Sequence, residues 1–464
     1  MNKRTLHIAV ALLTLIGLLL GARIYYGKWL PSWKKGEIVV GVPVSYTGNE
    51  NAFESALVQL FADRLDLKVR LLPLPPGQRM EALDKHRVHF AAGVWSGESL
   101  PVRYTDSYRS IREQSVCTPS FDKEVGTRQL RIAVAPGSPH EAMLQELQPD
   151  LPRDVFKPRP RQNVDSLIEE VAAGLLDCTL ASEDQAAMAR NFHPKTVVSR
   201  DTGNSFDIAW AFPEKGEDDL YQHAQEFLAE LKKDGTLDRL ADRYYGYNKR
   251  LDDADAAKYL QRAKEVLPRY RTLFEDAADE ADMDWRLLAA VAYQESNWDP
   301  LATSPTNVRG MMMLTEDTAR RLDVNNRLDP RQSIPAGAGY IRYLADQLPE
   351  SIEEPDRTFF AIAAYNLGAA HLEDARVLAQ RMHKNPNYWA EVKQVLPLLA
   401  KAEYAGRLRF GHARGGEAVI MVERVRLFHD MLEKLMPEPV EPPPPRHWKT
   451  RLKDFILGRP ALGY

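Results

Sequence analysis

Two kinds of hydrophobic spacing divide this chain, and the change near residue 250 limits its folds more than any other feature. Between residues 37 and 247, short apolar runs alternate with helical ones. Residues 37–42 (EIVVGV) read as a buried strand, and Phe53, Ala56, Leu57, Leu60, Phe61 and Leu65 then recur at helical spacing. Residues 68–72 read as a second strand, 79–85 as a helix and 88–93 as a third strand. That order, β-α-β-α-β, is the mark of an α/β sheet. The pattern then returns: a strand at 130–134, a helix from His140, a helix at 164–175 and strands at 178–181 and 206–212. A helix at 219–234 and the segment 238–247 complete this half. After residue 251 only helical spacing follows, at 251–271, 274–281, 285–295, 316–322, 334–348, 357–367, 370–382 and 389–399. The expected fold class is therefore multidomain: a two-lobed α/β part, then a mainly α part.

The 464 residues are too many for one ordinary domain. The expected division is a leader at 1–22, a linker at 23–36, the α/β part at 37–247, a connecting helix at 248–270, the helical domain at 271–435 and a tail at 436–464. In that tail Pro-Val-Glu-Pro-Pro-Pro-Pro reads as a stiff extended linker. A net charge of −4 with 27% charged residues is nearly balanced, and no nucleic-acid partner is expected. Met1 to Arg4 is basic, residues 8–22 carry no charge, and Arg23 ends the run. Its length suits a signal-peptide core better than a full span, which needs about 20 residues. Export is the expectation; if the leader stays, Tyr25, Tyr26 and Trp29 would form an aromatic belt at a membrane surface. Cys117 and Cys178 form no metal pattern. They could pair in an oxidising compartment or sit buried and reduced, and the buried thiol is the reading preferred from sequence. His86 and His89 read as solvent-exposed, and neither a metal nor a cofactor is expected.

Residues 285–298 (WRLLAAVAYQESNW) pose the sharpest question. Leu287, Leu288 and Val291 lie on one helical stripe, and four residues beyond Val291 comes Glu295. A carboxylate among packing residues is costly unless paired or protonated. Burial and the negative end of the helix dipole both disfavour its charge, so its pKa should rise and the group should keep a proton near neutrality, as a general acid must. Taken alone, a partly exposed helix-end glutamate is the simpler reading. Two further stretches change the weighting. Gly310 precedes Met311, Met312, Met313 and Leu314, where glycine permits close backbone approach and methionine can line a groove. Residues 359–368 (FFAIAAYNLG) form another apolar helix. Phe359, Ile362, Ala363 and Asn366 share a face there, placing a second polar group on a packing stripe.

These observations carry two resemblances. The α/β part resembles the extracytoplasmic solute-binding proteins that take polar amino acids, and Gly235-Thr236-Leu237 with Tyr244-Tyr245-Gly246 resembles their closing helix. Their arginine clamp should precede Tyr104-Thr105-Asp106-Ser107-Tyr108, but Glu98 and Ser99 stand there and Arg103 is the nearby arginine. Their ammonium-binding aspartate should fall near Ser182. The helical part resembles the soluble-lytic-transglycosylase family, which has a lysozyme-like fold. Its Glu-Ser stretch corresponds to Glu295-Ser296, its Gly-Leu-Met-Gln stretch to Gly310-Met311-Met312-Met313, and its Ala-Tyr-Asn-x-Gly stretch to residues 364–368. Residues 336–341 match the helix between them. Met313 replaces the usual glutamine. That methionine, with a solute-binding module in front, resembles the F-type membrane-bound branch of the family.

The second resemblance implies cleavage of peptidoglycan between N-acetylmuramic acid and N-acetylglucosamine, leaving a 1,6-anhydro sugar, with Glu295 as acid and then base. It implies that Ser296, Tyr365 and Asn366 orient the sugar or Glu295, that Met313 and Tyr340 line the cleft where sugar binds, and that the glycan strand is the partner. It also implies a peripheral place at the periplasmic face of the outer membrane. The altered clamps point to a muropeptide or another small ligand at the α/β lobes, or to lobes that bind none. Two rival functions stay open: a module that only holds peptidoglycan, and a hydrolase that uses water. Asp299 reads as a turn or capping residue rather than a second catalytic acid.

Overall fold

The computed structural model describes residues 33–44, 49–97, 101–125, 127–136, 138, 140–141, 163–247 and 251–437. The leader, Glu98, Ser99, most of the helix expected from His140 and the proline-rich tail lie outside the described residues. Among the described residues no helix is long and apolar enough to cross a membrane.

The first half builds one mixed sheet. Its strands are β1 (Glu37–Pro43), β2 (Lys68–Leu74), β3 (Phe90–Trp95), β4 (Val102–Tyr104), β5 (Arg109–Cys117), β6 (Ile132–Ala133), β7 (Cys178–Ser182) and β8 (Val197–Pro213). They lie in the order β2-β1-β3-β8-β5-β7-β6, with β4 also on β8. β1 runs parallel to β2 and β3, whereas β8 is antiparallel to β3, β4 and β5. Sequence spacing exposed only the apolar end of β8, because Asp201, Gly203 and Asn204 interrupt its pattern. This long strand joins the two lobes. Residues from Ile208 onward pair with β3 and β4, and those from Val197 to Ile208 pair with β5. β4 and β5 carry little alternation and were not expected from sequence.

Each lobe has its own core. Ile38, Val40, Phe53, Phe61, Phe90, Trp210 and Phe227 pack together in the first, where helices α1 (Asn49–Arg64) and α2 (Pro76–Asp84) follow their strands. In the second, Val116, Leu167, Ile168, Val171 and Ala181 do so, with α3 (Val164–Ala172) and α4 (Glu183–Phe192). Asn163 and Ser182 cap these two helices, each accepting from the backbone N–H three residues on.

Strand pairing overturns the thiol reading. β5 and β7 are antiparallel with Cys117 directly opposite Cys178, and the two are disulfide-bonded across 61 residues of sequence. His89 is also not a surface residue. It is 2% exposed, and its Nδ1 accepts the Val39 N–H at 2.9 Å, which supplies a partner within the sheet.

Helices α5 (Asp218–Lys233) and α6 (Thr236–Tyr245) close the first lobe, and α7 (Asp253–Glu265) leads into an all-helical bundle. The bundle comprises α8 (Arg271–Ala281), α9 (Trp285–Ser296), α10 (Glu316–Arg321), α11 (Pro330–Asp346), α12 (Asp356–Leu367), α13 (Ala369–Arg381), α14 (Trp389–Val395) and α15 (Gly415–Leu435). α15, unforeseen from the sequence, is the central helix on which α9 and α12 pack. One continuous core includes Tyr259, Phe274, Val291, Trp298, Met311, Phe360, Trp389 and Phe428.

The two halves meet through charge as well as packing. Arg243 on α6 bonds Asp356 on α12 at 3.0 Å, and Asp242 pairs with Lys393 at 2.5 Å. Behind them Glu423 is wholly buried. It accepts from Trp389 Nε1 at 3.0 Å and faces Lys393 and Arg426, each at 3.2 Å. A buried carboxylate is tolerable on these terms, with cations and a donor around it.

Candidate active site

Helix α9 is defined by its ends. Asp284 caps its start, accepting from the Arg286 N–H at 2.8 Å. At the other end Asn297 and Trp298 both take positive φ, 52° and 58°, which halts the helix after Ser296. The Trp298 indole folds back, is fully buried and donates to the Ala289 carbonyl at 2.7 Å. Arg262 of α7 donates to the Asn297 carbonyl at 2.7 Å, satisfying a group that the helix end leaves open.

Glu295 lies in the last turn. It is half-buried, and no hydrogen bond or ion pair to its carboxyl occurs among the described residues. Burial pushes its pKa up to about 8. Desolvation alone accounts for the rise, so the group holds its proton without help from a neighbouring carboxylate.

The loop after α9 is drawn against it. Ser296 Oγ lies 2.8 Å from the Met311 carbonyl and 3.0 Å from that of Ala292. The serine is buried, and its hydroxyl serves the backbone. It thereby holds the loop beside Glu295. Gly310 takes φ +87°, and a Cβ there would stand 1.8 Å from the Arg327 carbonyl, so only glycine fits. Met311 and Met312 are fully buried, so the expected apolar strip reduces to Met313, half-buried at φ 46°.

Tyr365, near the end of α12, donates to the Met312 carbonyl at 2.5 Å. Its own pKa is raised well above the usual value, first by burial and then by the charge of nearby Glu295. Tyr340 on α11 stands 5.7 Å from the Tyr365 ring, centroid to centroid. Glu295, Tyr365 and Tyr340 thus lie together, with the Met312 carbonyl bonded to Tyr365. Ile362 and Ala363, the neighbours of Asn366 on the expected stripe, are fully buried, but Asn366 itself is exposed in the last turn of α12, past the buried run that ends at Ala364. Asp299 is exposed, and its carboxylate accepts from the Leu301 N–H at 3.0 Å, making a turn.

A concavity lies between the α/β lobes, with a volume of about 420 Å³. Trp95, Ile111, Phe206 and Ile208 give it apolar walls, and Glu54, Arg79, Arg109 and Gln185 supply polar groups. Arg103 is not among them; it bonds Gly216 and Asp218 and lies over Tyr221. Arg109, missed in the sequence, pairs with Asp184 and sits 3.6 Å over the Tyr245 ring. Burial pushes Glu54 up to about 7 against the pull of hydrogen bonds from Tyr108 and Trp210. Its place beside Phe53 and Leu57 on a helix was the available signal. Asp284, His429 and Glu433 are also grouped closely enough to hold a cation, but the Arg286 guanidinium already bonds Asp284 at 2.7 Å.

Residues 272–388 match the model of the transglycosylase SLT domain, and residues 41–247 match that of bacterial extracellular solute-binding proteins, family 3. The chain is 44% identical over 407 residues to a protein of Methylobacillus flagellatus named membrane-bound lytic murein transglycosylase F, covering 84% of this chain and 86% of that one. The chain belongs to the membrane-bound lytic murein transglycosylase F family. A Nitrosospira multiformis member is 41% identical over 88% of both chains. One from Alcanivorax borkumensis is 37% identical over 93% of this chain and 95% of its own. Both family models fall where the structure changes character, one on the mixed sheet and one on the helical bundle.

Proposed function

We propose that Glu295 acts first as acid and then as base while this lytic transglycosylase cleaves the β-1,4 bond between N-acetylmuramic acid and N-acetylglucosamine in peptidoglycan. The observation that carries this is a single carboxyl pushed up to about 8 by burial, at the meeting point of α9, the Gly310 loop and Tyr365. A proton from Glu295 goes to the bridging oxygen as the C1–O bond breaks. The substrate's 2-acetamido group stabilises C1. The carboxylate then takes the proton of the C6 hydroxyl as its oxygen bonds to C1. The product is a 1,6-anhydro end, no water is consumed, and Glu295 returns protonated.

Ordinary glycosidases need a second carboxylate as nucleophile or base. The internal C6 hydroxyl removes that need, and Asp299 is engaged in its own turn. Tyr365 holds the loop, Tyr340 and Met313 border the acid, and exposed Asn366 is placed to meet sugar. Ser296 acts only through the backbone.

The test is product mass from purified sacculi. A product one water lighter than the hydrolysed sugar, absent with Glu295→Gln, supports the mechanism. A product carrying the extra water makes the enzyme a hydrolase. Undiminished product from Glu295→Gln removes Glu295 from the chemistry.

The lobe cleft supports a second reading, a small ligand such as a muropeptide. Its apolar walls and arginines are supplied by residues other than the amino-acid clamps expected from sequence. Calorimetry of the full chain with muropeptides and with amino acids tests it, and no heat from either overturns it. We place the protein at the periplasmic face of the outer membrane, held peripherally. Membrane fractionation with a salt wash checks this.

A further inference from the structure

The Tyr365 ring is the inner end of a series. Tyr340 stands 5.7 Å from it with planes inclined 54°. Three residues further along α11, Tyr343 stands 6.2 Å from Tyr340 with planes only 12° apart. Three rings therefore lead from the flank of Glu295 out to solvent, where Tyr343 is 55% exposed. No hydrogen bond to its hydroxyl occurs among the described residues.

A single exposed aromatic needs no explanation. Continuity with a buried ring beside an acid is different, because the rings then form one connected series. The same face of α11 carries Gly339, which is exposed and would find nothing within 4 Å of an added Cβ. Bare backbone thus adjoins the rings. Neighbouring charges are already committed: Arg342 bonds Asp346 at 3.0 Å and Asp282 at 3.2 Å. The surface offered is aromatic, and Arg342 beside it is paired. An aromatic face carries partial negative charge and attracts the slightly positive C–H groups of a flat apolar edge. A pyranose ring has such an edge, and a polysaccharide extends beyond the two sugars that flank the broken bond.

We propose that Tyr343, together with Tyr340, forms a stacking shelf for a further N-acetylhexosamine ring of the glycan strand. This rests on the function proposed above and adds a subsite to it. Contacts far from the reacting atoms that are equal in ground and transition states lower KM and leave kcat alone.

The experiment compares the full-length enzyme with Tyr343→Ala and Tyr343→Phe on peptide-free glycan strands, with thermal melts to show that each variant is folded. Tyr343→Ala should raise KM about fivefold to tenfold with kcat changed less than about twofold, the size expected for one aromatic contact. Tyr343→Phe, which keeps the ring, should hold KM within about twofold of the parent, on the same scale. A Tyr343→Ala KM equal to that of the parent overturns the shelf, as does a Phe variant as impaired as the Ala variant. A parent enzyme that releases no anhydro product overturns the functional reading itself, and the shelf with it.

Discussion

The phenol of Tyr365 donates to the carbonyl oxygen of Met312 across 2.5 Å, joining the last turn of α12 to the loop beside Glu295. With Ser296 holding the Met311 carbonyl from the other side, adjacent backbone oxygens are fixed by side chains from two helices. The loop is therefore placed by tertiary bonds as well as by its own turn, in which the Met313 N–H donates to the Gly310 carbonyl at 3.1 Å. Tyr365→Phe should cost about 1 kcal/mol of stability, the net value of one hydrogen bond. It should lower kcat more than it alters KM, because the ring stays and the loop loosens. Urea denaturation and steady-state kinetics on glycan strands check this pair of outcomes.

Activity should fall as pH rises through about 8. Glu295 must carry a proton to act as acid, and burial raises its pKa to about that value. The proton is fully present well below pH 8 and is lost above it. A profile of kcat/KM should show this basic limb; a limb near the ordinary glutamate value would contradict the assignment.

The same burial has a stability consequence of definite sign. Unfolded, Glu295 ionises near the ordinary glutamate value of 4.5; folded, it ionises near 8. Between those values the folded chain holds a proton that the unfolded chain has lost, so stability falls as pH rises across that window. Glu295→Gln removes the effect. The variant should therefore match the parent near pH 4 and exceed it by roughly 4 kcal/mol at pH 8, at ~1.4 kcal/mol per unit of pKa difference. Denaturation midpoints at the two pH values measure this.

The bond between Cys117 and Cys178 closes a long segment of the second lobe. Replacing both by alanine should destabilise that lobe by about 2–4 kcal/mol. The helical domain has a separate core, so kcat at a permissive temperature should be retained. Calorimetric scans together with sacculus digestion would show a lowered transition without lost turnover. Loss of both together would mean that the lobes and the bundle unfold as one unit.

Local spacing was sufficient for much of this protein. The alternation of strand and helix before residue 247, the helices after 251 and the position of Glu295 four residues beyond Val291 all follow from periods of 2 and 3.6, which neighbouring residues set among themselves. The family likeness of Glu295-Ser296, Gly310 to Met313 and residues 364–368 is equally a property of short stretches. Contacts between distant stretches were not legible. The register of β5 on β7 put Cys117 opposite Cys178, and β8 became one long strand because its polar middle found partners on β5. Helical spacing assigned Asn366 to the stripe of Ile362 and Ala363, which is buried, but could not say that the cover ends at Ala364 and leaves Asn366 in water. Ser296 was placed beside the acid by sequence, yet only the fold brought the Met311 carbonyl to its hydroxyl. A period tells which side chains share a face; the partner that buries the face is decided by packing across the whole chain.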